Sequence, residues 1–126
     1  MPDQPPAATD TQTGPAAFAT GQVITIFRSR LRPEATAEFH PLAEEVLALA
    51  RTMPGFVDYK SFAAPDGERV SVVTFADAET QAGWRHQVDH QAAQAAGRDR
   101  FYADYSLQVG TCEIAHTFTA PAPAPS

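Results

Sequence analysis

The 126-residue chain has no asparagine, one cysteine (Cys112), one lysine (Lys60) and one tryptophan (Trp84). A single cysteine excludes an internal disulfide and a zinc cage built from several thiolates. Nine Lys and Arg against fifteen Asp and Glu leave a formal net charge of −6. No basic stripe is available to neutralise phosphates, so the chain does not read as a nucleic-acid binder. No apolar run approaches the ~20 residues of a membrane span, and no membrane partner is expected. The first twenty residues lack both a basic start and an apolar block, so no secretory signal is expected and the cytoplasm is the expected location.

Charged residues at 19% and hydrophobics at 44% describe an ordinary soluble composition. The prolines are uneven: Pro2, Pro5, Pro6, Pro15, Pro121, Pro123 and Pro125 crowd the ends. Residues 1–20 and 119–126, rich in Pro, Ala and Thr, read as disordered tails. One foldable domain is left over residues 21–118. A domain that small buries a modest share of its surface, and a partner subunit would help it.

Val23–Leu31 (VITIFRSRL) is β-branched and aromatic without a breaker, and reads as a strand. Val23 and Phe27 occupy one face, Ile24 and Ile26 the other, so both faces need cover. Pro33 suits a first helical position. Phe39, Leu42, Ala43, Val46, Leu49, Ala50 and Met53 then follow in steps of three and four, the apolar stripe of a helix. Pro41 lies inside that stripe, where a kink or a restart is expected. Pro54-Gly55 ends the helix.

Phe56–Phe62 and Val70–Phe75 read as two strands joined by Pro65-Asp66-Gly67, a hairpin. Asp77 suits the N-cap of a second helix from Ala78 to about Ala96, broken by Gly97. Arg98–Ala103 is read as an added turn, and Tyr105–Phe118 as a last strand with a bulge near Gly110. Phe27, Phe56, Phe62, Phe75 and Phe101 are expected in the core, and Cys112 as a small buried hydrophobe. The order β-α-β-β-α-β is the ferredoxin-like α+β plan, an antiparallel sheet with helices on one face. Helices cover one face only, yet the first strand is apolar on both, so the spare face calls for a second copy of the chain.

The string MPGFVDYKSFAAPDGERVSVVTFADAET, followed by Trp84, His90, Ala93, Gly97-Arg98, Phe101-Tyr102, Tyr105 and Gln108-Val109, resembles an antibiotic biosynthesis monooxygenase (ABM) domain over about Val23 to His116. The resemblance implies a dimeric α+β barrel, with a pocket in each monomer between sheet and helices. It also implies one of several chemistries: cofactor-free oxygenation of polycyclic phenols and anthrones, or haem binding and degradation. Haem degraders of this fold use an Asn on the first strand and a His ten residues after a conserved Trp. Here Gln94 stands ten residues after Trp84, and there is no Asn. No cofactor is therefore expected.

His86 and His90, four apart, share a helix face but lack a third ligand, so no metal site is expected. His90 is the position that the resemblance assigns to the family's Trp-to-His motif, six residues after Trp84 and short of the ten-residue spacing of the haem degraders. Cofactor-free oxygenation needs an apolar pocket, an electron-rich carbon acid or phenol, and a base. His90 supplies the base type, with a pKa near neutrality. Tyr102 and Arg98 supply groups for an enolate oxygen. Trp84, Tyr59, Tyr105 and Phe27 supply rings to bracket a flat substrate. The expected function is a monooxygenase dimer taking a small aromatic or quinol-like substrate and dioxygen. The rival is a non-catalytic dimer that binds a small hydrophobic ligand or haem.

Overall fold

The computed structural model describes residues 17–94 and 101–123, and within the two helices the side chains outside positions 35–43 and 90–94. Four strands and two helices follow in the order β1 (Val23–Leu31), a 3-10 turn (Pro33–Ala35), α1 (Thr36–Thr52), β2 (Phe56–Ala63), β3 (Arg69–Phe75), α2 (Ala78–Gln94) and β4 (Tyr102–Thr111). The sheet is antiparallel with strand order β2-β3-β1-β4. This is the expected α+β, ferredoxin-like architecture. It places the first strand at the centre, between β3 and β4.

Register sorts the side chains into two faces. Phe56, Phe75 and Val23 stand in one cross-strand row, and Tyr59, Val73, Thr25 and Val109 in the next. These rows face the helices. Val73 and Phe75 pack with Ala50 of α1 and Trp84 of α2, and Val46, Met53, Phe56, Tyr59 and Val88 close around them. Phe75 is fully buried, stacked at 5.4 Å on Trp84 and edge-on to Phe56 at 5.9 Å. Full burial of a Phe is worth about 1.5–3 kcal/mol. A polar link joins the same layers: Gln81 Nε2 of α2 donates to Thr25 Oγ1 of β1 at 2.9 Å, and both residues are buried.

The turns are where the sequence placed them. Gly55 takes a φ of 81°, after α1 ends. Gly67 takes 92° in the hairpin, where Ala64 and Glu68 are joined by a backbone bond of 2.8 Å. Asp77 caps α2 by accepting from Thr80 N at 2.8 Å, and Thr80 Oγ1 accepts from Asp77 N at 3.3 Å.

Several expectations are corrected. α1 runs through Pro41 without restarting; a proline this near the start leaves only the carbonyl of Ala37 without its helical partner. Tyr102 and Ala103 belong to β4, not to a helical turn. β4 ends at Thr111, and Gly110 pairs regularly with Ile24; the irregularity lies opposite Arg30 and Leu31, which pair with Asp104 and Tyr102. Ala103 is thus the extra residue. The strand stops because β1 begins at Val23; just beyond it Cys112 N donates to Gln22 O at 2.8 Å and Cys112 O accepts from Gly21 N at 2.9 Å. Ile114 and Phe118, past that point, are exposed. Cys112 is half-buried just outside the strand, its thiol 3.3 Å from Ile114 O. Phe62 is exposed rather than in the core, because its register partner Val70 lies on the face opposite the helices.

The Gly97 break and Arg98 lie outside the described residues, as do residues 1–16 of the expected N-terminal tail. Residues 17–22 are tied down: Gln22 Oε1 accepts from Ala19 N at 2.9 Å, and Gly21 N donates to Cys112 O at 2.9 Å.

Candidate functional site

The helices cover the sheet unevenly. They close over the rows of Phe75 and Val73, but β4 on the same side keeps Tyr105, Leu107 and Val109 about 44–45% exposed. Two further rows continue from the covered region. One runs Ser61, Ser71, Phe27, Leu107; the next runs Ala63, Arg69, Ser29, Tyr105. They form the floor of the candidate site, with rings toward β4 and hydroxyls toward β2.

The aromatic end is a triangle. Phe27 lies 5.4 Å from Tyr102, edge-on, and 5.4 Å from Tyr105, while Tyr102 and Tyr105 are 5.5 Å apart. Tyr102 and Tyr105 are three apart, a spacing that in a regular strand puts them on opposite faces. The extra residue Ala103 turns Tyr102 back onto the helix side, opposite Leu31. A bulge on β2 does the same work there. Its register shifts between Phe56 and Asp58, so Phe56 and Tyr59 both face the helices.

The polar end lies across β2 and β3. Ser61 Oγ and Ser71 Oγ are hydrogen-bonded at 2.8 Å. Burial raises the pKa of the Tyr59 hydroxyl, and a hydrogen bond with Ser71 and the positive charge of Arg69 act against that rise. The Tyr59 ring stands edge-on to Trp84 at 6.3 Å. Trp84 itself is mainly core, 6% exposed, with its indole Nε1 buried and lacking a hydrogen-bond partner.

Of the residues singled out from sequence, Phe27, Tyr102 and Tyr105 are therefore brought together. Tyr59 and Trp84 form a second group; two strands and two residues separate Tyr59 from Phe27, about 12 Å between their backbones. The His90 side chain and the whole of Arg98 lie outside the described residues. His86 is exposed on α2, and among the described residues no three His, Cys, Asp or Glu side chains are grouped to hold a metal. Sequence reasoning missed Ser29, Ser61, Ser71 and Arg69. Their signal was the alternation of β2 and β3, legible only once the two strands are in register.

The opposite face of the sheet carries Ile24, Ile26, Val70, Val72 and Phe62, with Lys60 set 5.8 Å over the Phe62 ring. Arg28 grips Glu68 with two bonds, at 3.0 and 2.7 Å, and Arg30 holds Asp66 at 3.1 Å. No helix among the described residues is long and apolar enough to cross a membrane.

The sequence profile of the antibiotic biosynthesis monooxygenase family matches residues 22–96, more than half of the chain. The uncharacterized protein YqjZ of Bacillus subtilis (strain 168) is 29% identical over 90 residues, which span 71% of this chain and 79% of YqjZ. Among solved structures, a conserved protein from Methanosarcina mazei Go1 superposes with a TM-score of 0.64 at 9% identity, covering 75% of this chain and 95% of that one. SnoaB, described as a cofactor-independent oxygenase from Streptomyces nogalater, superposes with a TM-score of 0.59 at 19% identity, covering 86% of this chain and 100% of its own. At these identities the structural likenesses establish a common fold.

Proposed function

The chain belongs to the antibiotic biosynthesis monooxygenase family, and from that premise we propose that it is a cofactor-independent monooxygenase of a flat, electron-rich aromatic or quinol-like small molecule. The observation that carries this reading is the triangle of Phe27, Tyr102 and Tyr105, with ring centroids 5.4–5.5 Å apart beside an open floor. Three rings bury a planar substrate at small entropic cost, since each has few torsions to freeze. The description of SnoaB as a cofactor-independent oxygenase supports the cofactor-free form.

In this reading a base removes a proton from the substrate carbon acid, and the carbanion or enolate passes one electron to dioxygen. Recombination forms a carbon–oxygen bond, and loss of water leaves a carbonyl where a methylene stood. One dioxygen supplies one oxygen atom to product and one to water. His90 is the candidate base, and Tyr102 and Arg98 the candidate stabilisers of the enolate oxygen. Tyr105, Tyr59, Trp84 and Phe27 hold the rings.

The test is oxygen uptake across a panel of anthrones and hydroquinones. Expected is one dioxygen consumed per quinone formed, without added metal, flavin or haem. A His90→Ala variant tests the base, since an unchanged rate in that variant assigns the proton to another group. No turnover across the panel, with ligands still bound, would leave the ligand-binding dimer as the better reading.

The same proposal includes a homodimer. Ile24, Ile26, Val70, Val72 and Phe62 form an apolar centre on the sheet face away from the helices, and ion pairs at the hairpin border it. A second copy laid on this face covers it with a self-complementary surface.

A further inference from the structure

Within the proposed site, we infer that Tyr59, Ser61, Ser71 and Arg69 form an oxyanion-binding subsite that takes the ionised hydroxyl of an aromatic ligand. The inference rests on the proposed aromatic site and adds what that site selects for. Its first ground is placement. Ser61 and Ser71 are directly opposed across β2 and β3, Tyr59 precedes Ser61 by one pleat on the same face, and Arg69 precedes Ser71 likewise. Four polar side chains thus gather on the side of the sheet that elsewhere carries the core.

Its second ground is the count of protons. Each hydroxyl has one proton to donate and can also accept. Ser61 and Ser71 share a single bond of 2.8 Å, and the Ser71 hydroxyl acts on the Tyr59 hydroxyl as a donor would, in the sense that favours the ionised phenol. With Ser61 donating to Ser71, and Ser71 to the phenol oxygen, the proton left over is the phenol's own. Donation to the oxygen polarises that O–H and strengthens what it offers to the next acceptor. The tyrosine is also the most acidic hydroxyl of the three, and the chain of donors ends on it.

Its third ground is charge. The Arg69 guanidinium acts on the Tyr59 hydroxyl in the sense that favours negative charge there. A ligand oxygen hydrogen-bonded to Tyr59 enters the same field, in a half-buried setting where charge–charge interaction is stronger than in bulk water. The Trp84 ring, edge-on to Tyr59 at 6.3 Å, holds the phenol in place. The rings toward β4 receive the apolar body of the ligand, and the β2–β3 side receives its ionised oxygen.

The experiment compares two probes by isothermal titration calorimetry: a hydroxynaphthoquinone, ionised at neutral pH, and its methyl ether, which cannot ionise. A hydrogen bond to a charged group predicts a preference of at least about tenfold for the anion in the wild-type protein. Tyr59→Phe keeps the ring against Trp84 and removes the donor; Arg69→Gln removes the charge. Each is expected to reduce the preference to about twofold or less, by the same conversion. Arg69→Lys, which keeps the charge, is expected to retain most of it. Circular dichroism melts confirm that the variants are folded.

Equal binding of the two probes by the wild-type protein, or an undiminished preference in folded Tyr59→Phe and Arg69→Gln, overturns the subsite. If oxygen uptake on anthrones persists in that case, the monooxygenase reading stands without it. A preference lost in both variants, with no oxygen uptake on any substrate, upholds the subsite and overturns the monooxygenase reading. Failure of both probes to bind overturns the subsite, and oxygen uptake on anthrones then decides the monooxygenase reading by itself.

Discussion

Gly55 holds the turn between α1 and β2 against the start of α2, and replacing it by alanine tests how closely these elements are joined. Its φ of 81° lies in the left-handed region, where a side chain costs about 1–2 kcal/mol. A Cβ there would also lie 2.5 Å from Thr80 Oγ1, 2.6 Å from Thr80 Cβ and 2.7 Å from Thr80 Cγ2. Thr80 cannot swing aside cheaply. It is β-branched, and its hydroxyl and backbone N–H both bond to Asp77 at the head of α2. The Gly55 carbonyl meanwhile accepts from Ala76 N at 2.7 Å, which ties the turn to the end of β3.

Relieving the overlap therefore shifts the cap or the turn, an overpacking cost of about 1–3 kcal/mol. The sum for Gly55→Ala is about 2–5 kcal/mol. Gly67 is the control. Its φ of 92° imposes the same backbone strain, but a Cβ there meets nothing within 4 Å. In a domain of this size each kcal/mol moves the Tm by roughly 4–8 °C. At one protein concentration, since self-association would shift the midpoint, thermal melts should place Gly55→Ala roughly 5–20 °C below Gly67→Ala. Midpoints within about 2 °C of each other would refute the claimed contact.

Thr25→Val strips the buried Gln81 amide of its 2.9 Å partner and should cost about 1–3 kcal/mol in urea denaturation. The double variant Thr25→Val with Gln81→Leu should regain part of that loss, and strictly additive losses would contradict the pairing. Hydrogen bonds to the Glu68 backbone and Arg30 lower the pKa of Asp66; the Arg28 hydrogen bond lowers that of Glu68, and the Thr80 backbone N–H lowers that of Asp77. The unfolded chain then takes up these protons first as pH falls, so their contribution is full above the ordinary carboxylate range, near pH ~4, and is lost through the lower folded values. The Tm should accordingly drop between about pH 4 and pH 2, and a rise over that window would count against it. The proposed dimer predicts that the wild-type protein sediments as a dimer at micromolar concentration and that Ile26→Lys, placed in the apolar centre of the open sheet face, sediments as a monomer; a wild-type monomer would refute it.

Much of the framework was readable from local chemistry. β1 needed only its β-branched run, the hairpin only Pro65-Asp66-Gly67, and the head of α2 only Asp77, because each signal lies within a few residues of its effect. The end of β4 was not readable that way. Alternation continues past Thr111 through Cys112 and Ile114, but a strand lasts only while a neighbour can accept its bonds, and β1 begins at Val23. The Ala103 bulge escaped notice for the same reason. It is defined by what faces it on β1, not by anything in Tyr102–Tyr105 itself.

The site divides along this line. The family resemblance, read with the chemistry of side-chain types, supplied the aromatic and basic candidates, Phe27, Tyr59, Trp84, Tyr102 and Tyr105 among them. They could not say that Phe27, Tyr102 and Tyr105 meet while Tyr59 stands two strands away beside Trp84. Nor could they raise Ser61, Ser71 and Arg69 above the many small and charged residues of strand faces. The sequence by itself determined which residues form strands and helices and that the sheet carries apolar side chains on both faces, since those follow from side-chain type and period. Only the tertiary structure decided which side chains share a row, because register and bulges are agreements between strands distant along the chain.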